Sequence, residues 1–166
     1  MKVGVIKEFR DEYFFLSNFY PAPFTWRNVA FKNGEQAFSY AKGFMCNDLV
    51  KKEQHFANVL AAPTPAKAKY FGRSVPINVK EWDNQKVWYM REIVHARFAQ
   101  NTGDEDLIGK LINTGVMLLV EGNDWGDKFW GRALDETTGK RVGYNTLGAI
   151  LMEERGYWLK GRPPWE

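Results

Sequence analysis

Along this 166-residue chain the apolar positions fall into short runs of two different periods. Between Phe24 and Lys32 they recur loosely at every second residue (Phe24, Trp26, then Val29 and Phe31), the spacing of a strand with one face turned inward. Pro21 and Pro23 exclude helix and central strand alike just before it, so residues 13–23 read as irregular. At Asn33 the period changes. Asn33 is a good N-cap and Gln36 stands three residues on, at capping-box spacing, which predicts a helix from Gly34 towards Phe44, ending near Gly43. Further helices are expected over 48–58 and from Thr64-Pro65 to about Tyr70, with Thr as cap and Pro in the first turn. The longest covers 80–99, where Trp82, Tyr89, Ile93 and Ala96 share a face. A short helix over 107–113 and a last one over 146–159, capped by Asn145, complete the set. Residues 2–8 and 115–121 read as strands, and 122–144, rich in Gly and Asp, as loop. The pattern is that of an α+β fold: a single mainly helical domain over 1–166 with a few short strands.

Composition narrows the setting. Apolar residues make up 45% and charged residues 26%, the balance of an ordinary globular protein. No apolar run nears the eighteen or so residues of a membrane span, and the N-terminus is too soon interrupted to serve as a secretory signal. Cys46 is the one cysteine, which rules out an intrachain disulfide and any multi-cysteine metal site. A cytoplasmic protein with no membrane partner is expected. A net charge of +3 falls well short of a DNA-coating protein but suits a phosphorylated ligand or occasional contact with nucleic acid. The aromatic share of 16% is mostly core, yet several rings lie in Gly- and Asn-containing segments where stacking on a ligand is open to them.

Familiar catalytic motifs are missing. There is no Gly-x-Gly-x-x-Gly fingerprint, and neither Gly109-Lys110 nor Gly139-Lys140 has the earlier glycine of a P-loop. His55 and His95 lie forty residues apart with no metal spacing around either, so a Ser–His–Asp triad or a zinc site is not indicated. What remains is carboxylates, a lysine, amides and rings in three groups: Ser17-Asn18-Phe19, then Glu35 to Lys42, then Asn123-Asp124-Trp125-Gly126-Asp127 with Trp130 and Asn145. Glu35 and Lys42 stand seven apart, on one helix face at about 10 Å of axial rise, with Phe38 and Ala41 as an apolar floor. Two long side chains so placed can bend toward one ligand. The plainer reading is equally physical, since Glu suits a first turn and Lys a last one. Likewise Asp124 and Asp127 suit an ordinary turn-rich loop, and Asn145 a helix cap whose N–H groups would face a phosphate.

Ser17-Asn18-Phe19, Gly34-Glu35-Gln36-Ala37-Phe38 with Lys42, Leu111–Glu121, Asn123-Asp124, Trp130-Gly131 and Asn145–Met152 with Arg155 together resemble, in order, the NADAR (YbiA-like) family. The resemblance runs from about Phe15 to Arg155. It implies a YbiA-like fold and an N-glycosidase that cleaves ribose C1 from an exocyclic amine. Substrates implied are ribosylamino-pyrimidine phosphates of riboflavin biosynthesis, or ADP-ribose on guanine in DNA or RNA. It further implies that Glu35 and Lys42 are catalytic and that Asn18, Phe19, Asp124, Asp127, Trp130 and Asn145 surround the ligand. Two departures stand out: Gln36-Ala37 where relatives often carry His-Tyr, and a longer segment between Trp130 and Asn145.

Those residues support a mechanism without metal or cofactor, in which the Lys42 amine attacks C1 to form a Schiff base and Glu35 moves protons. Direct hydrolysis, with Glu35 activating water and Lys42 holding phosphate, is its rival. A non-catalytic ADP-ribose or NAD sensor is the alternative outside enzymology. Lys67, Lys69, Tyr70, Phe71 and Arg73 interleave base and ring as a single-strand nucleic-acid binder does, against which stands the reading of an amphipathic helix with a solvated face.

Overall fold

A computed structural model describes residues 4–161; Lys2 and Val3 of the expected first strand, and the chain from Arg162 on, lie outside the described residues. Along the chain run β1 (Val5–Ile6), a 3₁₀ turn (Asp11–Leu16), β2 (Phe24–Trp26), β3 (Val29–Phe31), α1 (Gly34–Ala41) and a second 3₁₀ turn (Lys42–Met45). There follow α2 (Leu49–Leu60), α3 (Pro65–Ser74), α4 (Val79–Gln100), α5 (Leu107–Asn113), β4 (Leu118–Leu119), β5 (Gly122–Asn123), β6 (Arg132–Asp135), β7 (Lys140–Val142) and α6 (Thr146–Lys160). The fold is α+β and mainly helical. The chain forms two compact units, one of residues 18–101 and one of the remaining N- and C-terminal segments.

In the 18–101 unit the helix starts lie where the caps put them. The side chains of Asn33, Asp48, Thr64 and Asn78 each accept a hydrogen bond from the backbone N–H three residues on. Gln36 reaches one residue past the cap: its Oε1 accepts from the Lys32 N–H at 2.8 Å while its Nε2 donates to the carbonyls of Val59 and Leu60. The expected single strand over 24–32 is instead a hairpin, Phe24 facing Phe31 and Trp26 facing Val29. Arg27 and Asn28 both have positive φ (48° and 63°), the signature of a two-residue type I′ turn. This explains why the apolar spacing slips by one between Trp26 and Val29. The helix opened by Thr64 runs one turn further than expected, to Ser74. Rings fill the core: Tyr40 stacks on Phe56 at 4.2 Å, and Trp26 packs edge-on against Tyr89 at 6.0 Å.

In the other unit β1 and β4 pair in parallel, and β5-β6-β7 form a three-stranded sheet where a loop was expected. A compact turn makes that sheet possible. Asp135 Oδ1 accepts from the N–H groups of Thr137 and Thr138, and Gly139 takes φ 66° to return the chain into β7. The expected strand over 115–121 shrinks to two residues, with Val116 77% exposed. Among the described residues no helix is long and apolar enough to cross a membrane.

Candidate functional site

α1 is buried along nearly its whole length, polar residues included: Glu35, Gln36 and Ser39 are all inside. A first-turn glutamate that merely complemented the helix dipole would sit in water; Glu35 is 9% exposed. Its backbone N–H donates to the Asn18 carbonyl at 2.9 Å, and the Ser39 hydroxyl, one turn on, donates to its Oε1 at 3.3 Å. Burial pushes the carboxyl from 4.5 up to about 7, overriding Lys69, Lys42, the Ser39 hydroxyl and Arg73, all of which pull it down.

Lys42 follows α1 as the first residue of the 3₁₀ turn. Its ammonium lies 5.7 Å from the Trp82 ring centre, and Trp82 is backed by Phe38 at 5.0 Å, so the apolar floor is a pair of rings. Burial lowers its pKa; Glu35 opposes that shift, while Arg73, Lys69 and Lys86 reinforce it. Glu35 and Lys42 thus act on each other's charge, and each is moved towards its neutral form by desolvation.

Beside them Asn18 is buried, its Nδ2 donating to Met90 Sδ at 3.3 Å, while its Oδ1 is a buried acceptor with no donor. Phe19 is half-buried with the Lys69 ammonium 5.7 Å from its ring. His55 Nε2 lies 2.8 Å from the Ser39 carbonyl, and burial lowers its pKa. It sets an imidazole against the backbone of Ser39, whose hydroxyl bonds Glu35, whereas Gln36 stands where relatives often carry His.

The residues missed by sequence reasoning are on α3. The sequence offers Lys69 and Arg73, with Lys67, as a nucleic-acid stripe or a solvated face; Arg73 is exposed and Lys69 half-buried, and both act on Glu35 and on Lys42. The legible signal was Gly72 between them: a Cβ there would come 2.9 Å from Ser39 Oγ and 3.3 Å from its Cα, so α3 rests directly on α1 at the Ser39–Glu35 pair.

The remaining candidates belong to the other unit, and their polar atoms are largely spent on its own backbone. Asp127 Oδ1 accepts from the N–H groups of Phe129 (3.0 Å) and Trp130 (2.9 Å), and Asn123 bonds Asp127 through both its amide atoms. Asp124 is exposed and pairs with Arg141 at 3.5 Å and Arg10 at 3.7 Å. Trp130 is half-buried, edge-on to Phe129 at 4.9 Å. Asn145 overturns the cap expectation. It sits in the left-handed region (φ 57°), makes no side-chain cap bond, and ties the start of α6 to the chain leaving β4 by accepting from the Glu121 N–H and donating to the Leu119 carbonyl. Nor do the first amides of α6 await a phosphate, since Thr146 and Leu147 donate to the carbonyls of Phe129 and Trp130.

Comparison with known proteins bears on the family and the fold. The NADAR domain family model matches residues 6–157. Among solved structures, the NMR structure of the E. coli protein YbiA superposes with a TM-score of 0.76 at 27% identity, covering 97% of this chain and 88% of that one. No match is found among curated proteins.

Proposed function

The chain belongs to the NADAR family, and from a family-level N-glycosidase role we propose that it hydrolyses the bond between ribose C1 and the exocyclic amine of a base. The observation that carries the reading is the Glu35 carboxyl, buried and held near 7, coupled to a Lys42 amine whose pKa burial lowers. An acid poised near neutrality serves as donor and acceptor in turn, and an amine whose charged form burial disfavours is the readier nucleophile.

In the proposed sequence the exocyclic nitrogen pushes its lone pair to C1, the C1–O4 bond opens, and protonated Glu35 gives its proton to O4. The neutral Lys42 Nζ adds to C1. A proton passes from Nζ through Glu35 to the base nitrogen, the C1–N bond to the base breaks, and a protonated Schiff base remains on Lys42. Water then loses a proton to the Glu35 carboxylate and adds to C1. Glu35 gives its proton to Nζ and takes one from the new C1 hydroxyl as the C1–Nζ bond breaks, returning neutral lysine, protonated Glu35 and the free open-chain sugar, so one water is consumed per base released. Phe19 offers a ring on which the base stacks.

The test is a side-by-side assay of a ribosylamino-pyrimidine phosphate and of ADP-ribosylated guanine DNA, with borohydride added during turnover. We expect free base from at least one of them and a reduced sugar adduct on the Lys42 peptide. Free base without an adduct, with Lys42→Ala retaining much activity, would establish direct hydrolysis instead. No base from either substrate would sink the reading and favour a sensor.

A further inference from the structure

We propose that Lys69 and Arg73, one turn apart on α3, form the subsite that binds the phosphate esterified at O5′ of the ribose whose C1 is cleaved. Three observations meet here. First, the basic residues of α3 do not behave alike. Lys67 spends its ammonium on its own helix, 4.3 Å from the Tyr70 ring and 5.1 Å from Phe71, whereas Lys69 lies over Phe19 and, with Arg73, acts on Glu35. Second, Gly72 lets α3 close onto Ser39, whose hydroxyl is bonded to Glu35, so the helix carrying the two cations is pressed against the residue pair that carries the acid. Third, three cations act on one acid. Lys42, Lys69 and Arg73 converge on one carboxyl that burial drives towards neutrality, and Lys69 and Arg73 also oppose the charge on Lys42. Such mutual repulsion costs stability and is relieved by an anion.

The chemistry of the substrate selects which anion. In a ribosylamine phosphate or an ADP-ribosyl group alike, the phosphorus is separated from the reacting ring only by C5 and one ester oxygen. The cations that hold it must therefore stand next to the groups that act on C1, and α3 supplies them. Arg73 is exposed and offers a planar fork, while half-buried Lys69 offers a point charge, a pairing suited to phosphate oxygens. This rests on the glycosidase reading only for the identity of the sugar.

Titration calorimetry with uncleavable ligands tests the subsite apart from turnover. The wild-type protein should bind ribose 5-phosphate and ADP-ribose at least tenfold more tightly than ribose. The K69Q/R73Q pair should lose roughly tenfold or more of that advantage, as expected for lost charge-assisted bonds, with Arg73→Lys recovering part of it and the melting temperature not lowered. Loss confined to ribose 5-phosphate marks the monoester as the ligand; loss confined to ADP-ribose marks the diphosphate. Equal affinity for ribose and ribose 5-phosphate, or an unchanged phosphate advantage in a folded K69Q/R73Q protein, would overturn the proposal. A variant that binds normally but whose acidic pH–rate limb moves up would do the same, because Lys69 and Arg73 would then only tune Glu35. Phosphate binding through these residues without cleavage of any ribosylamine would leave the subsite standing and defeat the glycosidase.

Discussion

The α1–α3 face and the 122–145 segment carry the same kinds of residue, namely carboxylates, amides, cations and rings, and use them in opposite ways. In the segment the polar atoms are turned inward on backbone: Asp127 caps two amides of its own loop, and Asn145 ties the start of α6 to Leu119 and Glu121. On the helical face they are left electrostatically unsettled, with Glu35 buried against one weak hydroxyl bond, Asn18 Oδ1 lacking a donor, and three cations gathered about one acid. A fold gains from the first arrangement and tolerates the second, which is the physical mark of a site built for something other than stability. Residue type alone does not separate the two; where the hydrogen bonds go does.

The sharpest way to break this contrast is Glu35→Gln. Turnover should fall about a hundredfold or more, as for loss of a general acid–base. Stability should move the other way. The folded carboxyl titrates near 7 and the unfolded one near 4.5, so the native state holds an extra proton between those values and loses stability as pH climbs through that window. Gln imitates the protonated form. The variant should therefore be more stable than wild type at pH 8, by up to about 3 kcal/mol for a shift of this size, and indistinguishable at pH 4. Urea melts at the two pH values check it; a destabilised variant at pH 8 would place Glu35 among the structural residues.

Asn145→Ala probes the opposite side. It strips two bonds from the Glu121 N–H and the Leu119 carbonyl and puts a Cβ-bearing residue without local hydrogen bonding into the left-handed region, which together should cost about 2–3 kcal/mol. Asn145→Gly removes the same bonds but not the backbone freedom, so it should recover about 1 kcal/mol of that loss. Unchanged melting temperatures with weakened ribose 5-phosphate binding would move Asn145 to the ligand-facing class.

Much of this was legible in the chain, and the misses have a common cause. Helix starts followed from Asn33, Thr64-Pro65 and the periodicity of Trp82, Tyr89 and Ile93, because caps and 3.6-residue spacing are local signals. The hairpin at Arg27-Asn28 and the β6–β7 turn at Asp135–Gly139 were not, because each depends on positive φ values that Arg27 does not advertise and that Gly139 shares with any loop. Glu35 and Lys42 stood out by spacing. Lys69 and Arg73 did not, since their meaning comes from the contact of α3 with α1, which no local pattern encodes; Gly72, small in the last turn of α3, was the trace it left.

Gly72→Ala sharpens the comparison with the smallest expected change in stability. Alanine is the better helix residue by about 0.5–1 kcal/mol, but its Cβ would meet Ser39 at 2.9–3.0 Å and crowd it at a cost of about 1–3 kcal/mol. The two nearly cancel, for a net loss of about 1 kcal/mol. The informative readout is electrostatic. Prising α3 from α1 takes Lys69 and Arg73 away from Glu35, and both hold its pKa down, so the acidic limb of the pH–rate profile should move above 7 while ribose 5-phosphate binds more weakly. A limb that stays in place, with affinity intact, would mean that the two cations reach the acid from a helix whose seating does not matter, and the face would then be as self-contained as the loop.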